Sequence, residues 1–341
     1  MRSRGLRVPR SEGERVRSRL REEHALRNDL KIAVEGEWIL LPVEPAIELP
    51  GDLGELIMWD FEIAAAPGPQ DYRDLLVDWP SEEREELPRS FDIIGDVVLL
   101  RIPPTLSHRS QEIGAALLRF VPGARIVGAD HGVHGAERRR RVERLAGEGD
   151  WRTRHRENGL EFEVDLERAY FSPRLAREHA RVAGEVRPGE RVYDLCCGVG
   201  PFAVTIARTG RAASVVAVDL NPAAIALLRT TLARYPFGPS VEPIEASVER
   251  FLEGAKPVDV VVLNLPHEGI KYLPSVATVV RPGGRVFYYE VTDREGAEGH
   301  ERDLQERLGG SPEWRLKDRH VAHPYSPTAD LVAFTFERSS A

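Results

Sequence analysis

The chain has 341 residues, 42% hydrophobic and 30% charged, with a formal net charge of −8. That is apolar material enough for two or three domains with a proper core. No run approaches the roughly 18 apolar residues of a membrane span, and the Arg-rich start lacks the apolar segment of a secretory signal, so a soluble, cytoplasmic protein with no membrane attachment is expected.

In chain order, residues 12 to 28 read as an amphipathic helix, "EWILLPVEP" as a strand stopped by proline, and the Gly/Pro-bearing stretch near 50 to 70 as a linker. This predicts a small N-terminal α+β module over 1–62. "FDIIGDVVLLRIP" predicts a buried strand or a hairpin with a glycine turn, "SQEIGAALLRFV" a helix and "ARIVGAD" another strand, which makes a second, mixed α/β module over 63–168. Charge is uneven along these two modules. Acids gather in "WPSEEREELP", and arginines in residues 2 to 27 and in "ERRRRVERLAGEGDWRTRHRENG", where Trp151 and His155 stand among them. A charge run is often a solvated face, but this one suits phosphate contacts with a base stacked alongside.

From 169 onward strand and helix alternate: "PRLAREHARVAGEV", "RVYDLC", "PFAVTIART", "SVVAVDL", "NPAAIALLRTTLARY", "VEPIEAS", "VDVVVLNLP" and "GRVFYYEVT". Strands apolar on both faces belong in a parallel sheet covered by helices, a doubly wound, Rossmann-like α/β domain over 169–341. Ligands of such sheets bind outside the carboxyl ends of the strands.

The stretch "DLCCGVGPF" marks that place. Its two cysteines, Cys196 and Cys197, are adjacent, which is neither metal-ligand spacing nor a structural disulfide, and no metal is expected. A dinucleotide fingerprint needs a third glycine where Ala203 stands. S-adenosylmethionine has no pyrophosphate to cradle and needs only the turn at Gly198 and Gly200. Asp219, at the next strand end in "VDLNP", suits ribose hydroxyls, or else merely precedes an Asn-Pro helix start. "VVVLNLPHEG" ends an apolar strand in Asn264, Leu265 and Pro266, an amide beside a stiffened backbone. The Asn-Pro-Pro-aromatic signature of amino-group methyltransferases differs from it at two places.

Together, "SFDIIGDVVLLRIP", "RRRRVERLAGE", "RHRENGLEFEVDLERAYFSPRLAREHARV", "DLCCGVGPFAV", "VDLNP", "LNLP" and "FYYEVT" resemble the class I tRNA (guanine-37, N1) methyltransferases of archaeal and eukaryotic type. The resemblance runs in order from about 90 to 336 and more loosely over the first sixty residues. It implies a class I methyltransferase domain behind two small modules, with S-adenosylmethionine as donor, tRNA as partner and a monomeric enzyme. Carried over by residue, it places the general base on Glu178, the arginine facing guanine O6 on Arg138, with Arg140 as alternate register, and the strand-end asparagine on Asn264. It implies donor contacts from Arg174, Asp194, Gly198, Gly200, Phe202, Asp219, Leu220, Ser247 and Asn264, and RNA contacts from Arg138, Arg140, Arg152, Arg154, Tyr170 and Pro266. Ser247 stands where the family often carries an acid. Glu178 is also at helical spacing from Arg174 and Arg181, an alternative ion-pair role.

The chemistry fits these residue types. N1 of guanine is protonated at neutral pH, so methylation requires a base while charge builds on O6. Three rival readings remain open at this stage. They are transfer of the donor's aminocarboxypropyl group, methylation of a wyosine intermediate at the same nucleotide, and a noncatalytic RNA-binding protein that keeps the fold.

Overall fold

The computed structural model describes residues 1–340 except 46–49, 52, 65–67, 136 and 295–299. The 50–70 stretch read as a linker lies partly outside the described residues, and its residues Glu55–Asp60 are a strand rather than a linker. Two compact units divide the chain, Met1–Asp74 and Leu75–Ala341.

In the first unit, β1 (Arg2–Pro9), α1 (Gly13–Glu22), β2 (Ala33–Glu35), β3 (Trp38–Pro42) and β4 (Glu55–Asp60) form an antiparallel sheet of order β2-β3-β1-β4 with one helix. The arginine-rich start hides β1. Leu6 and Val8 alternate onto one buried face and Ser3 is buried on the other, while the Arg7 guanidinium lies over the Trp38 ring at 4.5 Å. The helix expected over 12–28 ends at Glu22, because His24 turns left-handed (φ 52) and the Ala25 N–H reaches back to Leu20 O at 2.8 Å, closing the helix in a Schellman-type turn.

The second unit opens with α2 (Ser81–Glu85). The hairpin β5 (Asp92–Ile94) and β6 (Val97–Leu100) turns at Gly95 (φ 59), and α3 (Ser110–Phe120) then crosses to β7 (Ile126–His134), parallel to β6, with β8 (Arg139–Gly147) antiparallel outside it. A two-stranded hairpin follows, β9 (Arg152–Glu157) and β10 (Leu160–Asp165). Trp151 is a core residue, not a stacking platform: it is 9% exposed, and a Cβ on Gly128 would lie 2.5 Å from its ring. His155 likewise packs on Phe171, ring centroids 5.0 Å apart. Residues before 168, Val97, Trp151 and Phe162 among them, share one apolar cluster with Val182, Phe202 and Val260.

The remaining elements are α4 (Ala176–Glu185), β11 (Arg191–Leu195), α5 (Pro201–Arg208), β12 (Ser214–Asp219), α6 (Pro222–Leu232), β13 (Val241–Glu245), α7 (Val248–Leu252), β14 (Val258–Leu263), α8 (Leu273–Val279), β15 (Val280–Asp293), α9 (His300–Leu308), β16 (Trp314–Pro324) and β17 (Ala329–Arg338). The sheet order is β13-β12-β11-β14-β15-β17-β16. The first five strands are parallel, as apolar runs such as "VDVVVL" require when helices cover both faces. β17 and β16 depart from the expected parallel pattern: β17 enters between β15 and β16, antiparallel to both. β16 is an edge strand whose half-exposed polar residues give no continuous apolar run. Chain order reverses between β11 and β14, and that is the switch point where a ligand cleft is expected.

Candidate active site

Four loops leave the carboxyl ends of β11, β12, β13 and β14 and meet on one cavity of about 920 Å³. The first carries three left-handed residues in five, Cys196 (φ 60), Gly198 (φ 56) and Gly200 (φ 81). Gly200 starts α5 where a side chain has no room, since a Cβ would stand 2.4 Å from Leu228 Cδ1. At Gly198 the space is open to the cavity, with only Tyr170 O at 3.5 Å from such a Cβ.

Asp219 fixes this loop. Its Oδ2 accepts the Gly198 N–H at 2.7 Å and its Oδ1 the Asn221 N–H at 2.8 Å. Burial pushes the Asp219 carboxyl up, against the pull of those two bonds. Asn221 is both a helix cap and a tie, accepting from Ala223 N–H at 2.9 Å and donating to Arg168 O at 2.7 Å. Asp194 lies beneath the loop rather than on the cavity wall. It accepts from Ala203 N–H at 3.0 Å, and burial pushes its carboxyl up to about 8. Phe202 is also behind the wall, edge-on to His179 at 4.5 Å. Leu220, 45% exposed, and Ser247, whose Oγ caps α7 through Arg250 N–H at 3.3 Å, both line the cavity.

Asn264 and Pro266 form the β14 side of the wall. The Asn264 Oδ1 is buried without a hydrogen-bond partner among the described residues, an acceptor left over for something else. Pro266 O takes the Val291 N–H at 3.1 Å, which holds the Asn-Leu-Pro turn on the sheet.

Facing these strand ends are Arg138, Arg140 and Tyr170. Arg138 sits left-handed (φ 51) between β7 and β8, its guanidinium 5.2 Å from the Tyr170 ring centroid. Tyr170 is 37% exposed. Arg140 lines the same cavity but is 4% exposed and committed, donating to Asp130 Oδ2 at 3.0 Å and to Phe171 O at 2.9 Å. Arg174 reaches the cavity while donating to Asp92 Oδ1 at 2.7 Å, with His323 Nε2 at 3.2 Å. Arg152 and Arg154 lie elsewhere, on a second concavity of about 820 Å³ with Arg125 and Arg156.

Glu178 does not line the cavity. It is enclosed: Oε2 accepts from Arg181 Nη2 at 2.8 Å and from the Tyr289 hydroxyl at 2.9 Å, and Oε1 meets His320 Nε2 at 2.9 Å. Burial works to raise its carboxyl, but the bonds from Arg181 and His320 outweigh it and hold the group below the usual carboxylate range. The expected Arg181 pairing is therefore present. His179, the next residue on α4, turns to the cavity and bonds Glu157 Oε1 through Nδ1 at 2.6 Å.

The wall fits an adenosyl group with a charged amino-acid tail: the Asp219 carboxylate at a strand end, an open glycine, an exposed leucine and an unpartnered amide oxygen. Comparison with known proteins agrees. Residues 153–304 match the TRM5/TYW2 methyltransferase domain, 72–150 the TYW2 N-terminal domain and 5–49 the tRNA methyltransferase 5 N-terminal domain. A tRNA (guanine(37)-N(1))-methyltransferase Trm5b of Pyrococcus abyssi is 33% identical over 98% of this chain and 98% of its own.

The chain belongs to the tRNA (guanine-37, N1) methyltransferase family.

The crystal structure of that Pyrococcus abyssi protein superposes on this methyltransferase with a TM-score of 0.78 over 99% of each chain. A complex described as aTrm5 with tRNALeu gives 0.78 at 27% identity, covering 98% and 99%. Methanocaldococcus jannaschii Trm5 in complex with adenosine gives 0.67 at 26% identity, covering 99% and 100%. In the methyltransferase described here, sequence reasoning missed Tyr289, His320 and His323. Tyr289 lies within the quoted "FYYEVT"; the two histidines lie on β16, where no pattern pointed to a strand.

Proposed function

We propose that this enzyme transfers the methyl group of S-adenosylmethionine to N1 of guanosine 37 of tRNA, acting as a monomer in the cytoplasm. The observation that carries the reading is the single cavity at the carboxyl edge of the sheet, where Arg138, Tyr170 and Asn264 from three distant stretches face Gly198 and Asp219. The Gly198 turn, Asp219, Leu220, Ser247, Asn264 and Arg174 would hold the donor, with Asp194, Gly200 and Phe202 supporting the loop from beneath. The bound donor supplies an electrophilic methyl group on a sulfonium centre.

The chain's own residues do the rest. Arg138 donates to O6 as negative charge develops there, the role of an oxyanion-hole donor. Tyr170 offers an aromatic face to the base. The Asn264 amide both donates and accepts, so its spare oxygen is matched to an N–H of the base or the donor. Glu178, ionised at neutral pH, takes the N1 proton. This role requires tRNA binding to bring N1 to Glu178 and loosen one of its present bonds, since both oxygens are engaged in the free enzyme. Arg152 and Arg154, with their neighbours on the second concavity, would bind phosphates.

The match of 72–150 to the TYW2 N-terminal domain makes the product worth identifying as well as the site. Incubation of tRNA with labelled donor, followed by nucleoside mass spectrometry, tests both. 1-Methylguanosine at position 37 with S-adenosylhomocysteine released is the expected result. Methylthioadenosine as the co-product shows aminocarboxypropyl transfer instead, and label confined to a tricyclic intermediate shows wyosine methylation.

A further inference from the structure

Tyr289, Ala333 and His320 stand side by side across three neighbouring strands, since Tyr289 pairs with Ala333 and Ala333 with His320. Ala333 is the small member of the row, and the Glu178 carboxylate from α4 bridges the phenol and imidazole that flank it, each at 2.9 Å. The other imidazole nitrogen, Nδ1, meets Asp318 Oδ2 at 2.8 Å. Glu178 is buried, whereas the side chains of His320 and Asp318 are 31% and 53% exposed. A continuous row of three groups thus runs from an enclosed carboxylate to water.

The register of β16 is what builds it. The pairing with β17 shifts once between Leu316 and Asp318 and again between Val321 and His323, so Asp318, His320 and His323 all stand opposite Thr335, Ala333 and Leu331. Without the first shift Arg319 would stand beside Ala333, and His320 would turn to the other face. Irregularities of this kind re-aim side chains next to reaction centres.

We propose that His320, oriented by Asp318, is a positioning residue that carries the substrate proton from Glu178 to solvent; the inference rests on Glu178 being the base. In the reaction the N1–C bond forms as the S–C bond of the donor breaks, its electron pair staying on sulfur, and the N1 proton passes to Glu178 Oε1. In the free enzyme Nε2–H donates to the ionised Glu178; once Glu178 holds the N1 proton, exchange with water moves the ring proton to Nδ1, where Asp318 accepts it, and the freed Nε2 lone pair takes the proton from Oε1. The imidazolium then lies between two carboxylates, each ring nitrogen donating to an oxygen, the arrangement that stabilises it in Asp–His pairs. Its Nδ1 proton leaves to water beside Asp318, which returns the ring to the Nε2–H form that donates to the ionised Glu178.

The groups facing Glu178 are Arg181 on its own helix, Tyr289 on β15 and His320 on β16; those facing His320 are Glu178 and Asp318. Arg174 bonds both Asp92 and His323, the latter further along β16, and does not bond the row. Because Glu178 is held below the ordinary carboxylate range, its own titration lies on the acid side of neutrality. A limb of the rate profile that disappears with the His320 side chain is then the signature of the relay.

Single-turnover methylation of tRNA by the full chain, at saturating S-adenosylmethionine from acid to alkaline pH, tests this with four variants. His320→Gln keeps an N–H toward Glu178 but cannot relay; it is expected to lose roughly 10- to 100-fold in rate, to keep donor and tRNA affinity, and to change the shape of the rate profile. Added imidazole is expected to restore His320→Ala, and Asp318→Asn to lose less than His320→Gln. Should Glu178→Gln be slow while His320→Gln keeps the wild-type rate and profile, the relay is overturned and the base stands. A slow His320→Ala that imidazole leaves unchanged also overturns the relay. A wild-type rate in Glu178→Gln removes the base and the relay together. Thermal melting of each variant keeps misfolding apart from chemistry, and His320→Gln serves if His320→Ala does not fold.

Discussion

The two walls of the cavity are held by different means. On the strand-end wall, Asp219 clamps the glycine loop and the start of α6 through backbone N–H groups, Asn221 caps that helix and binds the chain at Arg168, and Pro266 O is tied to β15. On the opposite wall Arg138 sits at a hairpin tip where the β7–β8 register shifts between Asp130 and Val133, and its guanidinium rests on the half-exposed Tyr170 ring. The first wall is set before a ligand arrives. The second presents charge on a loop, which suits a partner that brings its own geometry.

The neighbouring arginines give the sharpest way to break this contrast. Arg140→Ala severs a buried pair with Asp130 and is expected to cost about 3–5 kcal/mol of stability, read by chemical denaturation. Arg138→Ala is expected to leave the denaturation midpoint in place and to lower the single-turnover rate by roughly a hundredfold or more, about 3 kcal/mol of transition-state stabilisation. Equal losses of stability in both would erase the distinction between the two residues and reopen their register. A smaller effect probes the clamped wall: Gly200→Ala forces a Cβ at φ 81 against Leu228 and is expected to cost about 1–3 kcal/mol, with donor affinity falling in equilibrium binding. The smallest lies outside the cavity. Arg154 is 60% exposed, with Glu161 only at 3.8 Å, and Arg154→Ala is expected to weaken tRNA binding by under about 1 kcal/mol while reducing the slope of log K against log salt by about one.

Much of the clamped wall was legible in the sequence because each part is local. Glycines between a strand and a helix, an acid ending the next strand, and Asn-Leu-Pro ending another are short-range patterns, and all sit where a doubly wound sheet collects its ligands. Asn221 was legible too, as the start of a helix, and it turned out to cap that helix and tie it to Arg168. The surroundings of Glu178 were only partly legible. Its pairing with Arg181 follows from helical spacing, but Tyr289 and His320 are 111 and 142 residues away. His320 owes its direction to two register shifts that no alternation pattern announces. Trp151 misled because its surrounding arginines describe the outer face of β9, while its own side chain fills the space above Gly128.

The late position of β16 bears on how the enzyme is made. A growing chain emerges N-terminus first, at about 5–20 residues per second, so α4 and the first parallel strands are available well before residue 320 exists. Until then the Glu178 carboxylate lacks one of the groups that surround it in the finished enzyme, and β15 presents an open edge where β17 will insert. Synthesis of the β16–β17 hairpin therefore covers that edge and completes the surroundings of Glu178 in one event, so that sheet and site are finished together.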